Sequence, residues 1–137
     1  MQGLIIDFAG VLDQDPEETK RWRSLIAAVR EKDIATGILS NEASGGEAAD
    51  AIREWEFRGD VNAVVLSGEI GVEKPERAAF QAAADAIDVP LPDCVMIDDD
   101  IMNVRAAVEY GAIGILHTAF ERTAVEIQSL FDIEGEF

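Results

Sequence analysis

The chain has 137 residues, 48% of them hydrophobic, enough for one sizeable core and too few for a second, so a single domain over residues 1–137 is expected. With 28 acidic residues against 11 basic ones the net charge is -17, which disfavours nucleic acid and anionic membranes as partners. The apolar run that opens the chain is short, has no basic segment before it and contains Asp7, so neither a secretory signal nor a membrane span is expected, and a cytoplasmic location is.

In chain order, short apolar runs at residues 4–8, 36–39, 63–66, 94–97 and 112–116 read as strands. Between them lie stretches with helical spacing. Trp22, Leu25, Ile26 and Val29 share one face, as do Ile52 with Trp55, Phe80 with Ala83, Ala84 and Ile87, Val104 with Val108, and Ala124 with Ile127 and Phe131. Gly45-Gly46 precedes the second helix, Lys74-Pro75 the third, and Gly111 follows the fourth as a C-cap. Strands apolar enough to be buried on both faces, alternating with helices, imply a three-layer, doubly wound Rossmann-like α/β fold with a mainly parallel five-stranded sheet. Ligands in such folds bind beyond the carboxyl ends of the strands, where the strand order reverses.

Those ends are rich in chemistry. The first strand ends in Asp7-Phe8-Ala9-Gly10-Val11-Leu12, the second in Leu39-Ser40-Asn41 and the fourth in Ile97-Asp98-Asp99-Asp100, while the third leads into Gly71-Val72-Glu73-Lys74-Pro75. Each taken alone has an ordinary structural reading as a turn, a loop start or a helix entry. Asp100 in particular suits the negative charge favoured at a helix start. Together they present a carboxylate, a hydroxyl, an ammonium and a carboxylate pair toward one edge of the sheet.

The ordered set Asp-x-x-Gly-Val-Leu, Ser-Asn, Lys-Pro and Ile-Asp-Asp-x-x-x-Asn-Val resembles the four motifs of the haloacid dehalogenase (HAD) superfamily, over residues 4–116. The resemblance implies that Asp7 is a nucleophile forming an aspartyl-phosphate and that Ser40, Asn41 and Lys74 bind the phosphoryl group, Lys74 also holding Asp7. It further implies Mg²⁺ held by Asp7, the Ala9 carbonyl and Asp99, with Asp98 acting directly or through water. A carboxylate nucleophile splits a hard hydrolysis into two easier steps, and Mg²⁺ favours such hard oxygen ligands.

Two positions depart from the phosphatase pattern. Where those relatives carry a second Asp as general acid and base, this chain has Ala9, so slow turnover, or turnover limited to good leaving groups, is expected. Asp13, Asp15 and Asp100 stay open as substitutes. The segments 13–33 and 41–73 are too short for a cap domain, so an open site is expected, suited to a phosphorylated small molecule or a phosphoprotein and compatible with closure by a homo-oligomeric partner. A catalytically impaired domain with an interaction or phosphate-sensing role is the alternative. A dehalogenase-like reading conflicts with the adjacent pair Asp98 and Asp99. A phosphonatase-like reading needs a cap lysine, and the lysines here are Lys20, Lys32 and Lys74. A receiver domain would place the acidic pair after the first strand, not the fourth. His117, Trp22, Trp55 and Cys94 are expected to serve packing and local hydrogen bonding.

Overall fold

Alternation along the strands decides which side chains enter which core. A computed structural model describes residues 2–137; Met1, the first position of the expected domain, lies outside them. The elements are β1 (Gly3–Ile6), α1 (Pro16–Glu31), β2 (Ala35–Ser40), α2 (Glu47–Phe57), β3 (Ala63–Leu66), α3 (Ser67–Ile70), α4 (Arg77–Ala86), a 3₁₀ turn (Leu91–Asp93), β4 (Cys94–Asp98), α5 (Ile101–Glu109), β5 (Ile113–Leu116) and α6 (Phe120–Phe131). The five strands pair in the order β3-β2-β1-β4-β5, and every pair is parallel. The sheet is thus wholly, rather than mainly, parallel.

Leu4, Ile6, Ile38, Val95 and Ile97 point to one face, where Trp22 and Ile26 of α1, Ile52 of α2 and Phe120 and Ile127 of α6 cover them. Ile5, Leu39, Cys94 and Met96 point to the other, against Phe80 and Ala84 of α4 and Ala107 of α5. The helices begin where local chemistry satisfies their free N–H groups. Asp15 caps α1 by accepting from the Glu18 N–H at 2.8 Å, and Pro16 occupies the first turn, where no donor is needed. At its far end α5 stops before Gly111, whose φ of +103° suits glycine.

Three expectations change in detail. The first strand ends at Ile6 rather than residue 8, because the chain turns there: the Val11 and Leu12 N–H groups both return to the Phe8 carbonyl, at 3.1 and 2.8 Å. A helical turn, α3, follows β3; it is too short for periodicity to announce, and Gly71 ends it in the left-handed region at φ +77°. Finally, β5 is an edge strand and is not buried on both faces: Ile113 is 45% and Leu116 38% exposed.

The lone cysteine, Cys94, opens β4 fully buried as a free thiol, and burial chiefly, with help from Asp93, pushes its pKa up to about 11. Trp22 and Trp55 are core residues, and the buried His117 ring pairs through Nδ1 with Thr123 Oγ1 at 2.7 Å. Among the described residues no helix is long and apolar enough to cross a membrane.

The edge strand is seated through its glycine. A Cβ at Gly114 would stand 2.8 Å from Val108 Cγ2, 2.9 Å from Val104 Cγ1 and 3.1 Å from the Val104 carbonyl oxygen of α5. Gly114→Ala should therefore overpack this contact and cost about 1–3 kcal/mol. The measurement is urea unfolding, with the midpoint expected to fall at unchanged slope.

Candidate active site

Sheet register brings the carboxylates together. Ile6 of β1 pairs with Ile97 of β4, and the Asp7 N–H still bonds the Ile97 carbonyl at 2.8 Å, so Asp7 and Asp98 leave the sheet side by side. Strands β2 and β3 run outward on one side of β1, and β4 and β5 on the other, so this pair stands at the point where the strand order reverses.

Lys74 reaches between them. Its Nζ donates to Asp7 Oδ1 at 2.8 Å, to Asp98 Oδ2 at 2.8 Å and to the Leu39 carbonyl at 3.0 Å, which accounts for all three ammonium protons. The side chain is buried, so the ion pairs act with little solvent screening. Asp98 is held from other directions too: Oδ2 accepts from Asn103 Nδ2 at 3.1 Å and Oδ1 from the Asp100 N–H at 3.0 Å.

Asn41 fixes the backbone that carries Lys74. Its Nδ2 donates to the Lys74 carbonyl at 3.0 Å while its Oδ1 accepts from the Lys74 N–H at 2.9 Å. The expected phosphate-binding side chain thus spends both polar atoms on the lysine, and a phosphate contact from this residue would have to come from its backbone N–H.

The loop after β1 closes on Asp99. Gly10 adopts φ +80°, and its N–H donates to Asp13 Oδ1 at 2.8 Å. A Cβ on Gly10 would lie 2.0 Å from Asp99 Oδ2 and 2.6 Å from its Cγ. Only glycine admits the Asp99 carboxylate at this place. Asp100 turns away to cap α5, accepting from the Met102 N–H at 2.8 Å, as its position suggests.

All the residues selected from the sequence, Asp7, Ala9, Ser40, Asn41, Lys74, Asp98 and Asp99, line one cleft of about 270 Å³. Gly10, Asp100 and Asn103 complete its wall. Asn103 and Gly10 lie within the sequence motifs but carry no expected role there. The signal for Asn103 is a polar residue on the buried face of an amphipathic helix; the partner of Gly10 lies on another strand and has no sequence signature.

Electrostatics show what the cluster lacks. Asp7, Asp98 and Asp99 each offer an oxygen within 4.8 Å of the others, against a single ammonium. Burial pushes the Asp7 carboxyl from 3.8 up to about 7; Lys74 pulls it back, and the charge on Asp98 raises it further. Three convergent hard oxygen donors with surplus negative charge, beside a loop carbonyl at Ala9, fit a small divalent cation that keeps part of its water shell. His117 is shifted downward by burial, partly offset by the negative charge of Asp99.

A model of the haloacid dehalogenase-like hydrolase family matches residues 2–111. The crystal structure of an uncharacterized protein from Corynebacterium glutamicum superposes with a TM-score of 0.96 at 58% identity, covering 100% of this chain and 99% of that one. A HAD phosphatase from Thermococcus onnurineus shares the fold at TM-score 0.72 and 13% identity, covering 98% and 99%. So does a HAD family enzyme from Bacteroides thetaiotaomicron solved with magnesium and inorganic phosphate, at TM-score 0.61 and 16% identity, covering 88% and 96%. Among curated proteins, drimenol cyclase from Aspergillus calidoustus is 29% identical over 70 residues, 51% of this chain; the chain spans 13% of that relative's length.

The raised Asp7 pKa carries a sign. Between 3.8 and about 7 the folded, metal-free protein binds a proton at Asp7 that the unfolded chain has released, so its contribution to stability is complete below 3.8 and is lost as pH rises through about 7. Thermal unfolding of metal-free wild type should therefore fall in Tm across this window more steeply than that of Asp7→Asn. Parallel Tm profiles for both proteins would contradict the assigned burial of charge.

Proposed function

The chain belongs to the haloacid dehalogenase-like hydrolases, and from that membership we propose a Mg²⁺-dependent hydrolase that removes a phosphoryl group from a phosphate ester, with Asp7 as nucleophile. The observation that carries this reading is the Lys74 ammonium, which holds Asp7 and Asp98 in one cleft with Asp99 and Ser40.

In this reading Asp7 Oδ2, the oxygen not bonded to Lys74, attacks phosphorus, while Oδ1 stays anchored. Lys74 also places positive charge beside the phosphoryl oxygens. The Ser40 hydroxyl, at the end of β2, would donate to one of those oxygens, and the Asn41 backbone N–H would do the same. Asp7, Asp99 and the Ala9 carbonyl would hold Mg²⁺, with Asp98 in support through its grip on Lys74 and the metal's water. Mg²⁺ when bound neutralises the charge that gathers as carboxylate and phosphate approach. The complex of the Bacteroides enzyme with magnesium and inorganic phosphate supports both ligands.

Between the site motifs lie α1, then α2, β3 and the one-turn α3, then α4 and the 3₁₀ turn, all elements of the α/β core, with no inserted cap domain among the described residues. An open cleft suits a bulky substrate, either a phosphorylated small molecule or a phosphoprotein, and leaves room for closure by a second copy. A cytoplasmic location fits the acidic composition. Ala9 favours one further reading, a domain that binds phosphate and turns it over weakly.

Three measurements test the proposal. Mg²⁺ should raise the Tm of the wild type by mass action. Hydrolysis of an aryl phosphate should need Mg²⁺ and vanish in Asp7→Asn. Asn41→Ala, which frees the Lys74 backbone without touching its ammonium, should lower kcat by about 10²-fold with a smaller change in KM. Undiminished aryl phosphate hydrolysis by Asp7→Asn would remove the nucleophile from the scheme.

A further inference from the structure

Beyond the end of β2, residues 41–44 lie outside any helix or strand, so their backbone N–H and C=O groups must find partners elsewhere. The Glu42 N–H turns back to the Ser40 carbonyl at 3.0 Å, and the Ala43 N–H donates to the Glu42 carboxylate at 3.1 Å. The Glu42 carbonyl accepts from the Gly68 N–H at 2.9 Å and from Ser67 Oγ at 3.3 Å, both in the one-turn helix α3. The Ser44 carbonyl accepts from Arg53 Nη2 of α2 at 2.6 Å, and the same nitrogen pairs with Glu69 of α3 at 3.0 Å. Within residues 41–43, among the described partners, the Asn41 N–H alone finds no acceptor, and Asn41 lines the cleft.

Gly68 is the residue that permits this close approach. Helix propensity favours alanine over glycine, and Gly68 has no left-handed backbone that would require one. A Cβ there would stand 2.5 Å from the Ser44 nitrogen and 2.9 Å from both Cα and the carbonyl carbon of Ala43. These are backbone atoms, which cannot swing aside as a side chain can, so the loop itself would have to move. Neither Gly68 nor Arg53 lines the cleft, and any effect they have on a bound anion must pass through the loop.

We propose that α3 and Arg53 form a brace that aims the Asn41 N–H at the phosphoryl oxygens, with Gly68 and Arg53 as positioning residues that set affinity for the phosphoryl group. The inference rests on the phosphate-binding role proposed for the Asn41 N–H and adds the elements that place it. The brace also ties two parts of the cleft together. Helix α3 leads into residues 71–74, while the Asn41 side chain grips the Lys74 backbone, so the loop donor and the ammonium are carried on one linked unit. A hydrogen bond made alike to bound substrate and to product phosphate is uniform binding, and its loss raises KM while leaving kcat comparatively untouched. That split is the reverse of the one expected for Asn41→Ala, which keeps the N–H and releases Lys74.

The test compares wild type, Gly68→Ala, Arg53→Met and Arg53→Lys, with inorganic phosphate and Mg²⁺ as probes. In the wild type, phosphate added with Mg²⁺ should shift the NMR signal of the Asn41 amide and inhibit aryl phosphate hydrolysis. In Gly68→Ala phosphate affinity should fall by about 10- to 100-fold, the range for one hydrogen bond to a charged group, with KM rising in parallel and kcat changing far less. Arg53→Met should weaken phosphate in the same direction, and Arg53→Lys, which keeps a cation for Ser44 and Glu69, should recover part of the loss. The Mg²⁺-dependent rise in Tm should be the same in all four, because the brace contains none of the proposed cation ligands. The Arg53 side chain is part-exposed, so Arg53→Met decides the matter if Gly68→Ala does not fold. The inference is overturned, with the hydrolase reading intact, if the folded variants bind phosphate as tightly as wild type. It is equally overturned if they lose the phosphate and Mg²⁺ responses together, as a general loosening of the cleft would require. Should wild type itself neither bind phosphate in the presence of Mg²⁺ nor hydrolyse the aryl phosphate, the hydrolase reading falls, and the brace with it.

Discussion

A lysine ammonium buried between two carboxylates and a main-chain carbonyl joins three strands at one point. Lys74 contacts residues at the ends of β1, β2 and β4, so the cleft and the sheet share a keystone. Removing one partner from such a buried pair typically costs about 3–5 kcal/mol, because the remaining charge is left without compensation. The same contact orients Asp7. Lys74 keeps one oxygen of Asp7 fixed and leaves the other unbonded by it, and Asn41 holds the backbone of Lys74 in place.

Around this keystone the charge is unbalanced by design of the sequence. Asp98 and Asp99 follow one another at the end of β4, and the overall charge is -17, so any anion approaches a surface that repels it. Capture then depends on the short-range donors inside the cleft and on a cation that the carboxylates attract. An acidic exterior with a locally compensated interior discriminates against casual anions.

Most of the candidate cleft was legible because the residues that line it sit where strands end, and strand ends are visible in a sequence as the last apolar residue before a polar one. Asp7, Ser40 and Asp98 were found in this way. Periodicity also gave the covering faces of α1 and α6, whose apolar spacing survives in the two cores. What escaped depends on contacts between residues far apart in the chain. The hydrogen bonds of Asn41 to Lys74 and the fit of Gly10 against Asp99 follow from how strands stack, and neither partner announces the other. The exposure of Ile113 and Leu116 follows likewise from the place of β5 at the sheet edge, a property of strand order rather than of local composition.

The position of Cys94 has a practical outcome. A lone thiol, fully buried at the start of a central strand and held well above neutrality in pKa, is a poor nucleophile toward alkylating reagents while the sheet is intact. It becomes reactive only when β4 separates from its neighbours. The rate at which it is modified therefore records the opening of the sheet's centre, and the chain carries its own single-site clock for unfolding without any label being engineered into it.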